Sequence, residues 1–198
     1  QRLNAMNLLD TYLGKQSGAK VLDGLVKRGD GEDVHAVIWF SDLRDFTGLN
    51  ERLPASELLD LLNNYLQLVG DALTSNGGEI LKFIGDGLLA VFPHAAEYEE
   101  SNAAEAAVAA AIAAEAAVAA LNENPPPELA AIGAPERLDF TVIGRAVNGA
   151  ARVESMTKQF GHSVLLTGPV AERLAKRPES LGHHTLRGMA EPIEIFGI

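Results

Sequence analysis

The sequence predicts an α+β fold in which helices pack on an antiparallel sheet. A continuous apolar run at 34–40, rich in Val, Ile, Trp and Phe, is typical of a central strand buried on both faces. Apolar residues then recur at steps of three and four over 58–73, which indicates an amphipathic helix. Two β-type runs at 79–84 and 88–92, joined by Gly85-Asp86-Gly87, predict a hairpin with a carboxylate at its tip.

The remainder of the chain alternates between helices and strands in the same way. Residues 101–121 are rich in alanine, the residue with the highest helix propensity, and predict a closely packed helix. The other predicted elements are a strand at 138–142, a helix at 146–158, a strand at 163–167, a short helix at 169–175 and an antiparallel pair at 183–186 and 193–196. We expect a leader helix and linker at 1–33 and one domain over 34–198.

Charge and composition narrow the possible partners. Sixteen Lys and Arg against 27 Asp and Glu give a net charge of −11 over 198 residues, with no basic stripe. This argues against nucleic acid and against an anionic membrane surface, because both require clustered positive charge. No apolar run approaches the length that crosses a bilayer, so we expect no direct membrane contact from this segment. An anionic small molecule stays possible if metal ions or backbone amides meet its charge.

Cysteine content and the first residue bear on the class of protein. The chain has no cysteine, which excludes disulfides, a thiolate nucleophile and Cys-based metal sites, and suits a reducing compartment such as the cytoplasm. Its first residue is Gln1 rather than Met, so we expect a piece of a longer protein that carries an upstream regulatory domain.

Two carboxylates are the first candidates for chemistry. Asp42 follows the buried strand directly, and Asp86 lies at the tip of the hairpin between two glycines. Two carboxylates on rigid elements are the usual protein share of a magnesium–phosphate site. The alternative is that each Asp only forms a turn.

Three further polar residues have positions that suit a ligand. Asn148 and Arg152 are spaced i, i+4 and therefore share one face of the predicted helix. By the two-residue period of a strand, Lys82 shares a side with Ile80 and Ile84. Alone, the Asn/Arg pair is equally consistent with a solvated helix face, and the lysine with a side chain that reaches past apolar neighbours to water.

Together these motifs resemble the class III nucleotidyl cyclases. The segments 40–47, 82–86 and 140–144, followed by Asn148 and Arg152, appear in the order of that family and spread over most of the chain from residue 34 onward. The resemblance implies a ferredoxin-like βαββαβ core with additions. It also implies a head-to-tail homodimer with active sites at the subunit interface.

The resemblance assigns expected roles near the triphosphate. Asp42 and Asp86 match the two metal ligands, with help from the Leu43 carbonyl, for two Mg²⁺ or Mn²⁺ ions in each active site. The amides around Phe46 and Thr47 match the groups that cradle the triphosphate.

The resemblance also assigns roles near the base, the sugar and the reacting phosphate. Lys82 and Thr141 match the base-reading positions, Asn148 the residue that orients the ribose, and Arg152 the residue that stabilises the transition state. Arg187 is a looser match to a basic phosphate contact.

Hydrogen-bond chemistry indicates the base. Lys82 only donates, so it suits the N1 acceptor of adenine and would oppose the N1–H donor of guanine, while Thr141 can accept from the adenine amine. The implied activity is that of an adenylyl cyclase, of the Thr-containing subclass common in bacteria. It would convert ATP to 3′,5′-cyclic AMP and pyrophosphate by metal-assisted attack of the 3′-hydroxyl on the α-phosphate.

The chain departs from the family pattern in two places. Asp45 stands where the family usually has Gly, which adds charge near the expected metal site. Near 130–133 a further strand and loop of the family are absent. Because loss of a core strand would be costly, we expect that segment to be missing from the sequence rather than deleted from the protein.

Three alternatives stay open at this point. The main one is a non-catalytic cyclase-homology domain that binds nucleotide and dimerises, against which the retained acids, Lys82, Asn148 and Arg152 argue. A phosphatase would use Asp42 and Asp45, but such acids are usually two residues apart. A diguanylate cyclase is suggested by 77–80, yet those glycines lie between a helix and a strand. The five histidines have no ligand spacing and are expected to be structural.

Overall fold

A computed structural model describes residues 34–96, 99–123, 145–187, 189 and 191–198. The predicted leader at 1–33, the strand at 138–142 and the junction at 130–133 lie outside these residues. The described strands are β1 Ala36–Ser41, β2 Glu79–Ile84, β3 Gly87–Pro93, β4 Leu165–Thr167, β5 Glu179–His184 and β6 Ile193–Gly197. The described helices are α1 Phe46–Arg52, α2 Ala55–Ser75, α3 Glu100–Glu123, α4 Arg145–Glu154, α5 Thr157–Phe160 and α6 Gly168–Ala171.

The first sheet confirms the predicted strand and hairpin. Its order is β1-β3-β2, with both pairs antiparallel, and the hairpin closes at the Ile84–Gly87 pair. Helices α2 and α3 pack on one face of this sheet. The buried residues of that core are Tyr65, Val69, Leu73, Leu88, Ala90, Phe92, Ala103, Ala107, Ala110 and Ala114. Four of the predicted apolar positions of α2 are therefore buried in the structure, at Leu58, Tyr65, Val69 and Leu73.

A β-bulge in β2 corrects the predicted position of Lys82. Ile80 pairs with Ala90, and Lys82 pairs with Leu89, the neighbour of Ala90 in β3. Consecutive residues of β3 point to opposite faces, so Lys82 and Ile80 lie on opposite faces as well. The prediction that they share a side is wrong, because the bulge interrupts the two-residue period.

The second sheet has the order β4-β6-β5 and is also antiparallel. The predicted final pair is confirmed, but β5 begins earlier than expected and pairs with β6 from Glu179 to His184. Val153 of α4, Leu186 and Ile195 form the buried centre of its core. The predicted helix at 146–158 ends at Glu154 instead, and a turn separates it from α5.

Helix α1 was not predicted, because 41–47 has the polar composition of a loop. In the structure Asp45 adopts a left-handed conformation, with φ of 58°, and the helix begins at the next residue, Phe46. The Asp45 carbonyl accepts the first helical hydrogen bond from the Leu49 amide at 2.9 Å. The polar loop therefore covers only the residues between β1 and Phe46.

Helix α3 joins the two sheets and also meets a membrane criterion. By length and composition, the 22 residues Glu100–Leu121 could cross a membrane, since an 18-residue window of this helix has a mean hydropathy of 1.7. The prediction that no apolar run is long enough is therefore wrong. One side of this helix is buried in the first core. Its acids bond to the second sheet region: Glu100 with Arg173, Glu105 with the Ala175 amide, and Glu115 with Ser163.

The close packing of α3 predicts different responses at two adjacent alanines. Ala110 is fully buried, whereas Ala109 is exposed. Ala110→Leu should lower the free energy of unfolding by about 1–3 kcal/mol, because extra methylenes overpack a filled core. Ala109→Leu should change it by less than about 0.5 kcal/mol. Urea denaturation followed by circular dichroism measures both, and equal losses in the two variants would contradict this packing.

Candidate active site

The structure brings Asp42 and Asp86 together. Asp42 follows β1, Asp86 lies in the turn between β2 and β3, and the pairing of Ser41 with Leu88 aligns the two positions. Gly87 permits the close approach, since a Cβ at that position would lie 2.2 Å from the Ser41 carbonyl oxygen and 3.2 Å from Asp42 Oδ1. The strand register and one glycine thus place the two acids side by side.

The two carboxyl groups interact directly. Burial raises the pKa of Asp42 above its ordinary value, and a hydrogen bond with the Asp86 carboxyl and repulsion from its charge raise it further. The Leu43 amide, which donates to Asp42 Oδ1 at 3.1 Å, and the charge of Lys158 oppose this shift of the pKa. A divalent cation would relieve the repulsion, because it favours carboxylate oxygens in their charged form. The donor set therefore fits Mg²⁺ or Mn²⁺.

Two protein carboxylates leave most of a metal's coordination sphere to other ligands. In the part of the chain that the structure describes, no group of three or more His, Asp or Glu is arranged to hold a metal ion. Magnesium is commonly held by one or two carboxylates together with substrate phosphates and water. Two carboxylates are thus a sufficient protein share for a magnesium ion whose other ligands are phosphate and water.

Further ionisable groups surround the acid pair. Burial raises the pKa of Tyr65 to about 12, with further contributions from the charges of Asp42, Asp86 and Glu154. Burial and the charges of Asp42 and Asp86 also raise the pKa of the half-buried Glu154. The cationic side chains of Arg44 and Lys158 act in the opposite direction on Glu154.

The loop after β1 is tied to its surroundings at two points. Arg44 Nη2 donates to the His162 carbonyl at 2.8 Å and so links this loop to the region of the second sheet. Asp45 Oδ2 accepts from Arg52 Nη2 at 2.9 Å. The extra charge at position 45 is therefore paired within helix α1.

Asn148 and Arg152 lie on helix α4, as predicted. Gly149 and Val153 form its buried side, while Asn148 is exposed and Arg152 is half-buried. Asp42, Arg44 and Glu154 line a common cavity, whereas Asn148 and Arg152 are not among the described residues around it. Asn148 and Arg152 lie on the side of α4 away from Glu154, the residue of this helix on which the charges of Asp42 and Asp86 act.

The other predicted site residues are dispersed. Lys82 lies on β2, half-buried, and Phe46 and Thr47 form the first turn of α1, where amide groups lack a partner four residues earlier. Arg187 is exposed after β5, and Thr141 lies outside the described residues.

Sequence reasoning missed four residues near the acids: Tyr65, Glu154, Arg44 and Lys158. Tyr65 belonged to the apolar stripe of α2 and was interpreted only as core. Arg44 lay inside the motif after β1, and Glu154 two residues beyond Arg152, so their positions in the sequence did carry a signal.

Comparison with known proteins identifies the family, although no family model matches the chain. The chain is 28% identical over 187 residues to the terminal-differentiation-specific adenylate cyclase of Dictyostelium discoideum, an alignment that covers 86% of this chain and 9% of that protein. It is 30% identical over 200 residues to an adenylate cyclase of Anabaena cylindrica, covering 87% of this chain and 38% of the relative.

Solved structures agree with the sequence matches. The adenylyl cyclase CyaB from P. aeruginosa has a TM-score of 0.56 at 26% identity, covering 81% of this chain and 91% of that one. The guanylyl cyclase Cya2 has a TM-score of 0.63 at 25% identity, covering 85% and 93%. This chain contains a class III nucleotidyl cyclase domain. A bacterial light-regulated adenylyl cyclase has the same fold, with a TM-score of 0.75 at 23% identity. The match covers 99% of this chain and 61% of the light-regulated enzyme.

The matches bear differently on fold and on activity. The predicted α+β fold of the nucleotidyl cyclase type is confirmed, since the structural neighbours are cyclase catalytic domains. The chain spans between 9% and 38% of the length of the first curated relatives. Both adenylyl and guanylyl cyclases occur among the structural neighbours, so the comparisons identify a cyclase domain without its nucleotide.

The acid pair predicts an unusual stability profile for the metal-free cyclase domain. Because its folded pKa lies above 3.8, Asp42 stabilises the fold below that pH, and this contribution is lost as pH rises through the folded pKa. Asp42→Asn removes the repulsion yet keeps an oxygen for the Leu43 amide. At pH 7 in EDTA, the Asp42→Asn variant should have a higher free energy of unfolding than the parent. The increase should be at most about 1 kcal/mol, because solvent screens the charge of the exposed Asp42 side chain.

Thermal melts with and without Mn²⁺ measure this effect. The parent should gain more in melting temperature from Mn²⁺ than Asp42→Asn does, because only the parent keeps both charges. A variant that is less stable than the parent in EDTA at pH 7 would show that the two carboxyl groups do not repel each other.

Proposed function

We propose that this domain is an adenylyl cyclase that converts ATP to 3′,5′-cyclic AMP and pyrophosphate. The observation that carries the proposal is the contact between Asp42 and Asp86, two acids from separate elements that remain close despite their repulsion. Such an arrangement suits a protein that binds its substrate as a metal complex.

The acid pair would hold two Mg²⁺ or Mn²⁺ ions, with the Leu43 carbonyl as a further ligand. When bound, these ions lower the pKa of the ATP 3′-hydroxyl and neutralise the triphosphate. Asp42 and Asp86 orient the reacting groups through their oxygens, and the first amides of α1, at Phe46 and Thr47, face the phosphates. Arg187 adds a positive charge to the triphosphate.

The chemical step is an intramolecular displacement. The 3′-hydroxyl gives its proton to solvent water, its oxygen forms a bond to the α-phosphorus, the bond from that phosphorus to the bridging oxygen breaks, and pyrophosphate leaves with the electron pair. Arg152 stabilises the charge that develops on the α-phosphate, because a guanidinium donates two parallel hydrogen bonds to phosphate oxygens. Asn148 holds the ribose so that its 3′-hydroxyl lies in line.

Adenine recognition rests on Lys82 and Thr141. The bulge in β2 supports a role for Lys82 at a subunit interface, because it turns this side chain to the sheet face opposite the helices α2 and α3. A lysine donor suits adenine N1 and opposes guanine N1–H. The threonine hydroxyl accepts from the adenine amine, which is the pattern of the Thr-containing subclass.

Assembly follows from the position of Arg152. Because Arg152 lies on the side of α4 opposite Glu154, and Glu154 interacts with the acids of its own chain, we expect a homodimer in which the partner supplies Asn148 and Arg152 to each acid pair. ATP and its products are cytoplasmic metabolites, and we place the domain in the cytoplasm, under the control of a further regulatory domain in the full-length protein. A non-catalytic nucleotide-binding dimer is the second candidate, favoured only if turnover is absent.

Product analysis tests the activity. Incubation of the domain with ATP or GTP and either Mg²⁺ or Mn²⁺ should give cyclic AMP from ATP. Asp86→Asn should reduce turnover at least about 100-fold, since it removes one of the two carboxylates that would hold the cations, and the cations stabilise the negative charge of the transition state. Asp71→Asn on the exposed side of α2 is the matched control and should leave turnover unchanged. Nucleotide binding without cyclic product would favour the non-catalytic candidate.

Subunit complementation tests the shared site. Asp42→Ala and Arg152→Ala should each abolish activity alone, because every site in either homodimer lacks one essential group. Mixed heterodimers contain one complete site and should recover activity, up to half that of the parent when every dimer is mixed. If the mixture stays as inactive as its components while forming dimers, each active site is built within one chain.

A further inference from the structure

We propose that Glu154 is a positioning residue for both active sites: its carboxylate faces the acid pair of its own subunit, while its helix carries Arg152 to the partner's site. This inference rests on the proposed function, and in particular on sharing of the sites between subunits. It assigns Glu154 to no metal and to no substrate atom.

Helix geometry separates the two roles. Residues of an α-helix are about 100° apart, so Glu154 lies about 200° from Arg152, on nearly the opposite side of α4. Glu154 lines the cavity that Asp42 and Arg44 also line, together with Ala150, one turn earlier. Arg152 is on the other side, with Asn148. The helix therefore has one side toward the acid pair and another away from it.

Charged groups of both signs act on the Glu154 carboxylate. Burial raises the pKa of Glu154, the charges of Asp42 and Asp86 raise it further, and the charges of Arg44 and Lys158 lower it. These five groups belong to the loop after β1, the β2–β3 turn, α4 and α5. Arg44 and Lys158 thus offset part of the repulsion between Glu154 and the acid pair.

Arg44 anchors this arrangement. Its guanidinium donates to the His162 carbonyl at 2.8 Å, and the His162 ring lies 3.3 Å from the Ile198 carbonyl through Nδ1. Arg44 is therefore fixed to the second sheet region while its charge acts on Glu154. Helix α4 also packs directly on β1, so a displacement of either element is transmitted to the other.

The consequence is that a change in charge at one acid pair acts on α4. Cations at Asp42 and Asp86 turn the repulsion of Glu154 into attraction and draw the end of the helix toward the loop. Because α4 is a rigid element of ten residues, Arg152 moves with it. Glu154 should therefore strengthen cation binding in its own subunit and fix Arg152 for the neighbouring one.

Direct cation binding tests the first role without any catalytic readout. Titration of the dimer with Mn²⁺, followed by electron paramagnetic resonance in the absence of nucleotide, should show about threefold to tenfold weaker binding for Glu154→Gln, because one nearby negative charge is lost. Glu154→Asp keeps the charge and should bind within about twofold of the parent. Glu172→Gln, an exposed residue with the same change in charge, should match the parent.

The complementing heterodimer tests the second role. In the mixture of Asp42→Ala and Arg152→Ala chains, the complete site takes its acids from the second chain and its Arg152 from the first. Glu154→Gln placed only in the Asp42→Ala chain leaves the acid pair of the complete site unaltered. It should still lower kcat about threefold to tenfold, with KM for ATP within about twofold. Arg44 and Lys158 remain in the Asp42→Ala chain, so loss of the carboxylate that they attract still releases the end of α4 and misaligns Arg152. Glu172→Gln in the same chain should have no effect.

The outcomes separate the two proposals. Unchanged Mn²⁺ affinity in Glu154→Gln, or unchanged kcat when it is placed in the Asp42→Ala chain, overturns the two-site role of Glu154. A heterodimer without Glu154→Gln that makes no cyclic nucleotide overturns the shared-site function itself, whatever the Mn²⁺ titration gives. Melting temperatures of each variant identify a loss that comes from unfolding, and Glu154→Asp then provides the test in a folded protein.

Discussion

The arrangement of the site depends on holding two like charges in contact. Asp42 and Asp86 would separate if they were on flexible segments, because neither gains from the other until a cation binds. The ladder between β1 and β3 prevents this, and its strands are anchored by the buried side chains of Leu88, Ala90 and Phe92. The hydrophobic core thus supplies the free energy that offsets the repulsion and keeps the two carboxyl groups close together.

The β-bulge in β2 determines which face of the first sheet carries Lys82. An unbroken β2 would direct Lys82 to the face of Ile80, where α2 and α3 cover the sheet. Because of the bulge between Ile80 and Lys82, the Lys82 side chain lies on the other face of the sheet. Leu81 is buried on that same face with Leu89 and Val91. One inserted residue therefore allows the strand that ends at the Gly85-Asp86-Gly87 turn to present a polar side chain on the face away from the helices.

The sequence was sufficient for the elements whose side chains follow a regular period. The buried run before Asp42, the stripe of α2 and the Gly85-Asp86-Gly87 turn predicted the first sheet. The resemblance to the nucleotidyl cyclases, rather than these patterns, implied that the two acids lie at one site. The sequence was insufficient where one residue changes the pattern: the left-handed Asp45 that begins α1, and the bulge that moves Lys82. Tyr65 and Glu154 were missed for a different reason. Their surroundings come from elements distant in sequence, so their electrostatic neighbours are visible only in three dimensions.

A net charge of −11 is unfavourable for binding a tetraanionic nucleotide, but the local distribution of charge resolves this conflict. Free ATP would be repelled by Asp42, Asp86 and Glu154 alike. A complex of ATP with divalent cations presents positive charge to those three carboxylates and phosphate oxygens to the cationic side chains. On the proposed function, the acidity of the site therefore selects the metal complex over the free nucleotide, and the arginine that meets the phosphate must come from a surface that these acids do not occupy. In this chain that surface is the side of α4 that carries Asn148 and Arg152, opposite Glu154. The carboxylates that would attract the cations therefore also favour a site that a second subunit completes.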